Sequence, residues 1–174
     1  MVDAAAMCFT SGTEVRFTNK YKDEVGYSDG SPIIRYAEVL LNAAEAYARN
    51  NDVTNALANL NLVRNRALAD PATQAYDADT FADNVAMLEA ILAERRIEFV
   101  MEGRRWPDIH RLQFCPYFPI DGIPGKLANS MPPSAEYTLG TPYSGPLGIT
   151  PKPYSDSRFL WPLPAIETNA NPVL

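Results

Sequence analysis

Three glutamates, Glu94, Glu98 and Glu102, recur at every fourth position in the run Glu94 to Arg111, ERRIEFVMEGRRWPDIHR. A pair of carboxylates can hydrolyse a glycosidic bond, but only when they flank an open cleft about 5–10 Å wide. Carboxylates stacked along one helix beside Arg95, Arg96, Arg104 and Arg105 fit a different task, neutralising arginines in a packed interior. Arg64 and Arg95 are the expected buried arginines, with Glu98 and Glu102 among the structural ion-pair partners. An arginine fork can satisfy both oxygens of a carboxylate. No residue is expected to be catalytic.

Other chemistries find little support. His110 is the single histidine, and with Asp108 alone beside it no metal site and no cofactor are expected. A lone histidine leaves little room for a triad, no serine or cysteine sits in a nucleophile elbow, and no glycine-rich phosphate loop is present. The net charge of −6 argues against nucleic-acid binding. Cys8 and Cys115 have no metal-like spacing and are read as two thiols rather than a disulfide framework.

The elements that must hold these residues are helical. Residues 33–49 form an amphipathic pattern, with Ile33, Tyr36, Leu40, Ala43, Ala44 and Tyr47 on one face. Arg35, Glu38, Asn42, Glu45 and Arg49 lie on the other, and Glu45 and Arg49 are spaced for an ion pair. Residues 53–68 give a second helix, with Val53, Ala56, Leu57, Leu60, Val63 and Ala67 inward and Asp52 as its cap. The short link forces an antiparallel pair similar to a tetratricopeptide (TPR) unit, which needs neighbours to bury its faces. After a loop at 69–82, Asp83 caps a long third helix running to about Glu102. Leu88, Leu92, Arg95, Phe99 and Glu102 share one stripe, while Ile97, Val100 and Met101 cover much of the opposite side, as in a helix sandwiched between layers. Pro107 then permits a short helix through Leu112.

The fold class is therefore all-α: a TPR-like antiparallel helix pair, a long third helix and an irregular C-terminal wrap. Residues 1–32 are an irregular N-terminal segment with short strands conceivable near Glu14–Thr18. Residues 33–112 are the helical core, and 113–174 form a loop-rich segment packed on it, together making one domain. That last segment holds twelve of fifteen prolines and five of nine glycines. It is also rich in aromatic rings, unlike a disordered linker, and so should pin itself to the helices. No run approaches the length of a membrane helix. Met1 lacks the features of a signal peptide, Ala5-Ala6-Met7 before Cys8 is a poor lipoprotein cleavage site, and the N-terminus is read as the start of a truncated sequence.

Four blocks carry a family resemblance. They are Arg35-Tyr36-Ala37-Glu38-Val39-Leu40-Leu41-Asn42, Leu60-Asn61-Leu62-Val63-Arg64-Asn65-Arg66-Ala67, and the pair Glu94-Arg95-Arg96-Ile97-Glu98 with Glu102-Gly103-Arg104-Arg105-Trp106. The last is Leu160-Trp161-Pro162-Leu163-Pro164 with Glu167 and Asn171-Pro172. In this order they resemble the C-terminal part of SusD/RagB nutrient-binding lipoproteins. The resemblance implies a non-catalytic protein at the outer-membrane surface of Bacteroidetes-type bacteria, capturing glycans or other nutrients for a SusC-like TonB-dependent transporter. It also implies a lipid anchor lying outside this chain as the sole membrane attachment. A generic TPR scaffold for a protein or peptide is the alternative.

For a glycan ligand, Tyr137, Tyr143 and Tyr154 on the irregular segment are the candidate rings, since aromatic faces can lie on the C–H face of a pyranose. Trp106 and Trp161 sit inside the family-like blocks and are expected to anchor the core.

Overall fold

The computed structural model describes residues 8–11, 15–18, 20–23, 25–117, 120–127 and 147–171. Two short strands, β1 (Cys8–Ser11) and β2 (Val15–Thr18), pair antiparallel with Phe9 opposite Phe17. The rest of the fold is dominated by helices.

Helix α1 (Tyr36–Arg49) begins three residues later than its hydrophobic pattern predicts. Ile33 lies outside it, 87% exposed. The N-cap is Arg35, whose side chain cannot accept a hydrogen bond from the helix and makes no cap. Helix α2 (Val53–Arg64) follows a link in which Asn51 takes a left-handed turn, φ 61°, and the Asp52 carboxylate accepts from the Asn55 N–H. A 3-10 turn, Asn65–Ala67, ends it short of the expected Leu68. The segment expected to be a plain loop carries helix α3 (Pro71–Gln74) and a 3-10 turn at Ala78–Thr80, each started by an aspartate cap.

Helix α4 (Asn84–Glu98) is capped by Asp83 and packs against α1 and α2. The three helices bury Leu41, Ala44, Ala48, Ala56, Leu60, Met87 and Ile91 completely or nearly so. Alanines where α1 meets α2 let the backbones approach, and each buried leucine or isoleucine contributes about 1.5–3 kcal/mol. Two expectations fail here. Helix α4 stops at Glu98 rather than Glu102 because Met101 and Gly103 adopt left-handed conformations, φ 64° and 74°, that turn the chain. The second apolar side is not sandwiched: Ile97, Val100 and Met101 are exposed.

Helix α5 (Arg105–Arg111) holds Pro107 in its first turn, where a missing N–H is tolerated. It anchors the C-terminal segment at Tyr154 and Phe159. Trp106 stacks on Phe159 with ring centroids 5.4 Å apart, and Phe159 also meets His110 at 4.7 Å and Tyr154 at 4.5 Å. Strands β3 (Gly122–Ile123), β4 (Lys126–Leu127), β5 (Leu147–Ile149) and β6 (Lys152–Pro153) pair as β3 with β6 and β4 with β5. Gly122 permits the first pairing: a Cβ there would sit 2.1 Å from the Lys152 carbonyl oxygen. A 3-10 turn at Ser157–Phe159 and helix α6 (Ala165–Ala170) complete the described chain. Trp161, expected in the core, is 87% exposed, because Phe159 takes the place against α5. Among the described residues no helix is long and apolar enough to cross a membrane.

Candidate functional site

The charged residues of the helical core assemble into three clusters. In the first, the turn after α4 swings Glu102 back beneath the start of α1. Its side chain is 1% exposed. Arg35 donates to it from Nε at 2.9 Å and from Nη2 at 2.8 Å, and its Nη1 reaches Glu98 at 2.7 Å. Lys20 also contacts Glu102 and donates to the Glu98 and Val100 carbonyls, while Arg66 contacts Glu98. Burial opposes ionisation of Glu102, but hydrogen bonds from Arg35 and Lys20 outweigh it and hold its carboxyl below the ordinary range. The buried Phe99 ring lies between the Arg35 and Arg95 guanidiniums, at 5.2 and 5.4 Å.

The second cluster joins α1, α4 and α5. Arg95, 5% exposed, grips Asp108 with Nε at 3.2 Å and Nη2 at 3.1 Å, and also donates to Asn42. Arg111 donates to Asp108 at 2.8 Å and to both oxygens of Glu45 at 2.6 and 2.7 Å. Arg49 closes on Glu45 at 2.8 Å. Glu45 was placed on the solvent face by periodicity, yet it is 6% exposed, because α5 folds over it and brings Arg111. Its burial favours the neutral acid, and the hydrogen bonds from Arg111 and Arg49 reverse that, lowering its pKa. Cys115 is buried nearby, its thiol coupled to Arg49.

In the third cluster, Arg64 reaches Glu94 at 3.3 Å and covers the Tyr76 ring at 4.1 Å. One long ion pair does not offset burial, so the Glu94 carboxyl is pushed up.

Two recesses lie beside this framework. A cavity of about 320 Å³ is walled by Ile120 to Pro124 and Pro151 to Pro153, with Arg105 at its edge. A second, of about 220 Å³, is bounded by α4, the Phe99–Gly103 turn, Arg105 and Asp108. Arg105 lines both. Neither is lined by Glu94, Glu98 or Glu102. Among the described residues no three His, Cys, Asp or Glu side chains gather as a metal site. His110, in the last turn of α5, sits half-buried among aromatic rings, its Nε2 buried without a hydrogen bond among the described residues.

Tyr137 and Tyr143 lie outside the described residues. Tyr154 packs on Phe159, and its hydroxyl donates to the Ile109 carbonyl. Sequence reasoning found the Glu45–Arg49 pair but overlooked Arg35, Asp108 and Arg111 as network members. One signal was present: an arginine at the N-cap, where serine or aspartate is preferred, must be held for another purpose.

The SusD-like protein P2 of Formosa agariphila is 30% identical over 145 residues, covering 79% of this chain and 23% of that protein. The chain thus spans under a quarter of that relative's length. No solved structure matches it. The first three sequence blocks meet in one ion-paired helical framework, and residues 9–174 match the SusD family, to which the chain belongs.

Proposed function

We propose that this chain is part of a non-catalytic protein that captures nutrients, foremost glycans, at the outer-membrane surface and passes them to a SusC-like TonB-dependent transporter. The carrying observation is the family match over residues 9–174. The charged clusters support it. Glu98 and Glu102 are each held by two cations, and Glu94 faces Arg64, so none stands ready at a cleft as an acid or nucleophile. The cavity walled by Ile120 to Pro124 and Pro151 to Pro153 has mostly apolar walls with a few polar groups, Arg105, Asp121 and Lys152, among them, the usual make-up of a small-molecule site. Ile33, Ile34, Tyr36 and Val39 at the start of α1 are exposed and offer an apolar surface to the transporter or another protein.

A glycan array tests this, with Tyr137→Ala, Tyr143→Ala and Trp161→Ala variants run in parallel. Retention of oligosaccharides without turnover is expected. An array with no glycan retained, or with cleavage products accumulating, overturns the reading. Co-purification with a TonB-dependent transporter from outer membranes tests the partner.

A further inference from the structure

Every other arginine whose side chain is described touches a carboxylate at 3.3 Å or less. Arg96 and Arg105 do not. Among the described residues neither makes a hydrogen bond or ion pair. Both line the cavity of about 220 Å³ behind the Met101–Gly103 turn. Arg95 and Asp108 line it too, but they are engaged with each other, and Asp108 also with Arg111. In a chain of net charge −6, this recess therefore keeps two guanidiniums without an ion pair of their own facing one space, with Asp108, already shared by Arg95 and Arg111, as the nearby carboxylate. A fold that neutralises its other arginines has left like charges together where a stabilising partner would be expected.

We propose that Arg96 and Arg105 form an oxyanion subsite for an acidic glycan, taking the carboxylate of a uronic acid or the sulfate ester of a sulfated sugar. This rests on the glycan-binding reading above. Planar guanidiniums pair with such oxyanions by two parallel hydrogen bonds. Arg105 is half-buried, where a charge-assisted bond is screened least, and Arg96 is exposed, where it can meet the incoming ligand. Because Arg105 also edges the cavity of Ile120–Pro124 and Pro151–Pro153, an anion held there leaves its sugar ring against apolar walls. Burial and the Arg96 charge lower the pKa of Arg105 despite the opposing pull of Asp108 and Tyr154, and a bound anion relieves that conflict.

Calorimetry with three probes decides the matter: trigalacturonate, a carrageenan hexasaccharide, and uncharged maltohexaose. The expected result is binding of one or both acidic probes, weakened about tenfold or more by Arg96→Ala and again by Arg105→Ala, and weakened by added salt. The acidic probe that binds distinguishes carboxylate from sulfate. The stability of the two variants should be unchanged or raised, since each removes a like-charge neighbour. If maltohexaose binds and the acidic probes do not, the subsite is wrong and glycan capture stands. If acidic probes bind equally well to both variants, the anion is held elsewhere and the assignment to these arginines fails. If no probe binds, or if Arg96→Ala unfolds the chain, the arginines are structural and the proposal is overturned; absence of all binding counts against the parent reading as well.

Discussion

Arg35 and Glu102, sixty-seven residues apart, meet as a two-pronged pair, with both ends of the guanidinium fork on both oxygens of one carboxylate. The pair joins the start of α1 to the turn that ends α4. Its carboxylate is buried, so removing the arginine leaves a charge that Lys20 alone must balance. Arg35→Met is expected to cost about 3 kcal/mol, and Arg35→Lys a smaller amount because a single ammonium cannot reproduce the fork. Urea unfolding measures both. Equal loss for lysine and methionine would show that fork geometry is irrelevant.

Acid should loosen the α1–α5 junction. The Glu45 carboxyl is lowered from 4.5 in the folded chain, so it stabilises fully above about pH 4.5 and this contribution is lost as pH falls through its lower folded value. Glu45→Gln is expected to be less stable than the parent at pH 7 and to lose less on acidification. Unfolding curves at pH 7, 5, 4 and 3 test this. Parallel pH profiles for parent and variant would refute it.

Glu94 has the opposite sign. Burial raises its carboxyl, so the folded chain holds that proton more tightly and the resulting stability is lost as pH rises through the folded value. Glu94→Gln is therefore expected to change stability at pH 7 by less than about 1 kcal/mol, well under the Arg35→Met effect. A carbon-detected NMR titration of Glu94 should give a midpoint above 4.5; one below it contradicts the burial argument.

Tyr154 links the C-terminal segment to α5 through its hydroxyl and the Ile109 carbonyl. Tyr154→Phe keeps the ring packing and leaves that carbonyl without this donor, so a loss of about 1 kcal/mol in unfolding stability is expected. Glycan affinity should stay the same if the residue is an anchor. A fall in affinity at unchanged stability would instead make it a ligand contact.

Local chemistry alone settled much of the helical framework. Leu40, Ala44, Ala56, Leu60 and Val63 recur at helical spacing because an apolar stripe must face a core, and they are buried. Asp52 and Asp83 announce helix starts because free N–H groups need acceptors. Periodicity could not say that Glu45 is buried or Trp161 exposed, since each depends on what a distant segment brings: Arg111 folds over the one, and Phe159 takes the place of the other. Nor could the run of arginines reveal which would be paired. Coulomb attraction acts through space, and only the turn at Met101 to Gly103 decided that Glu102 reaches Arg35 while Arg96 and Arg105 line one recess with no ion pair of their own among the described residues.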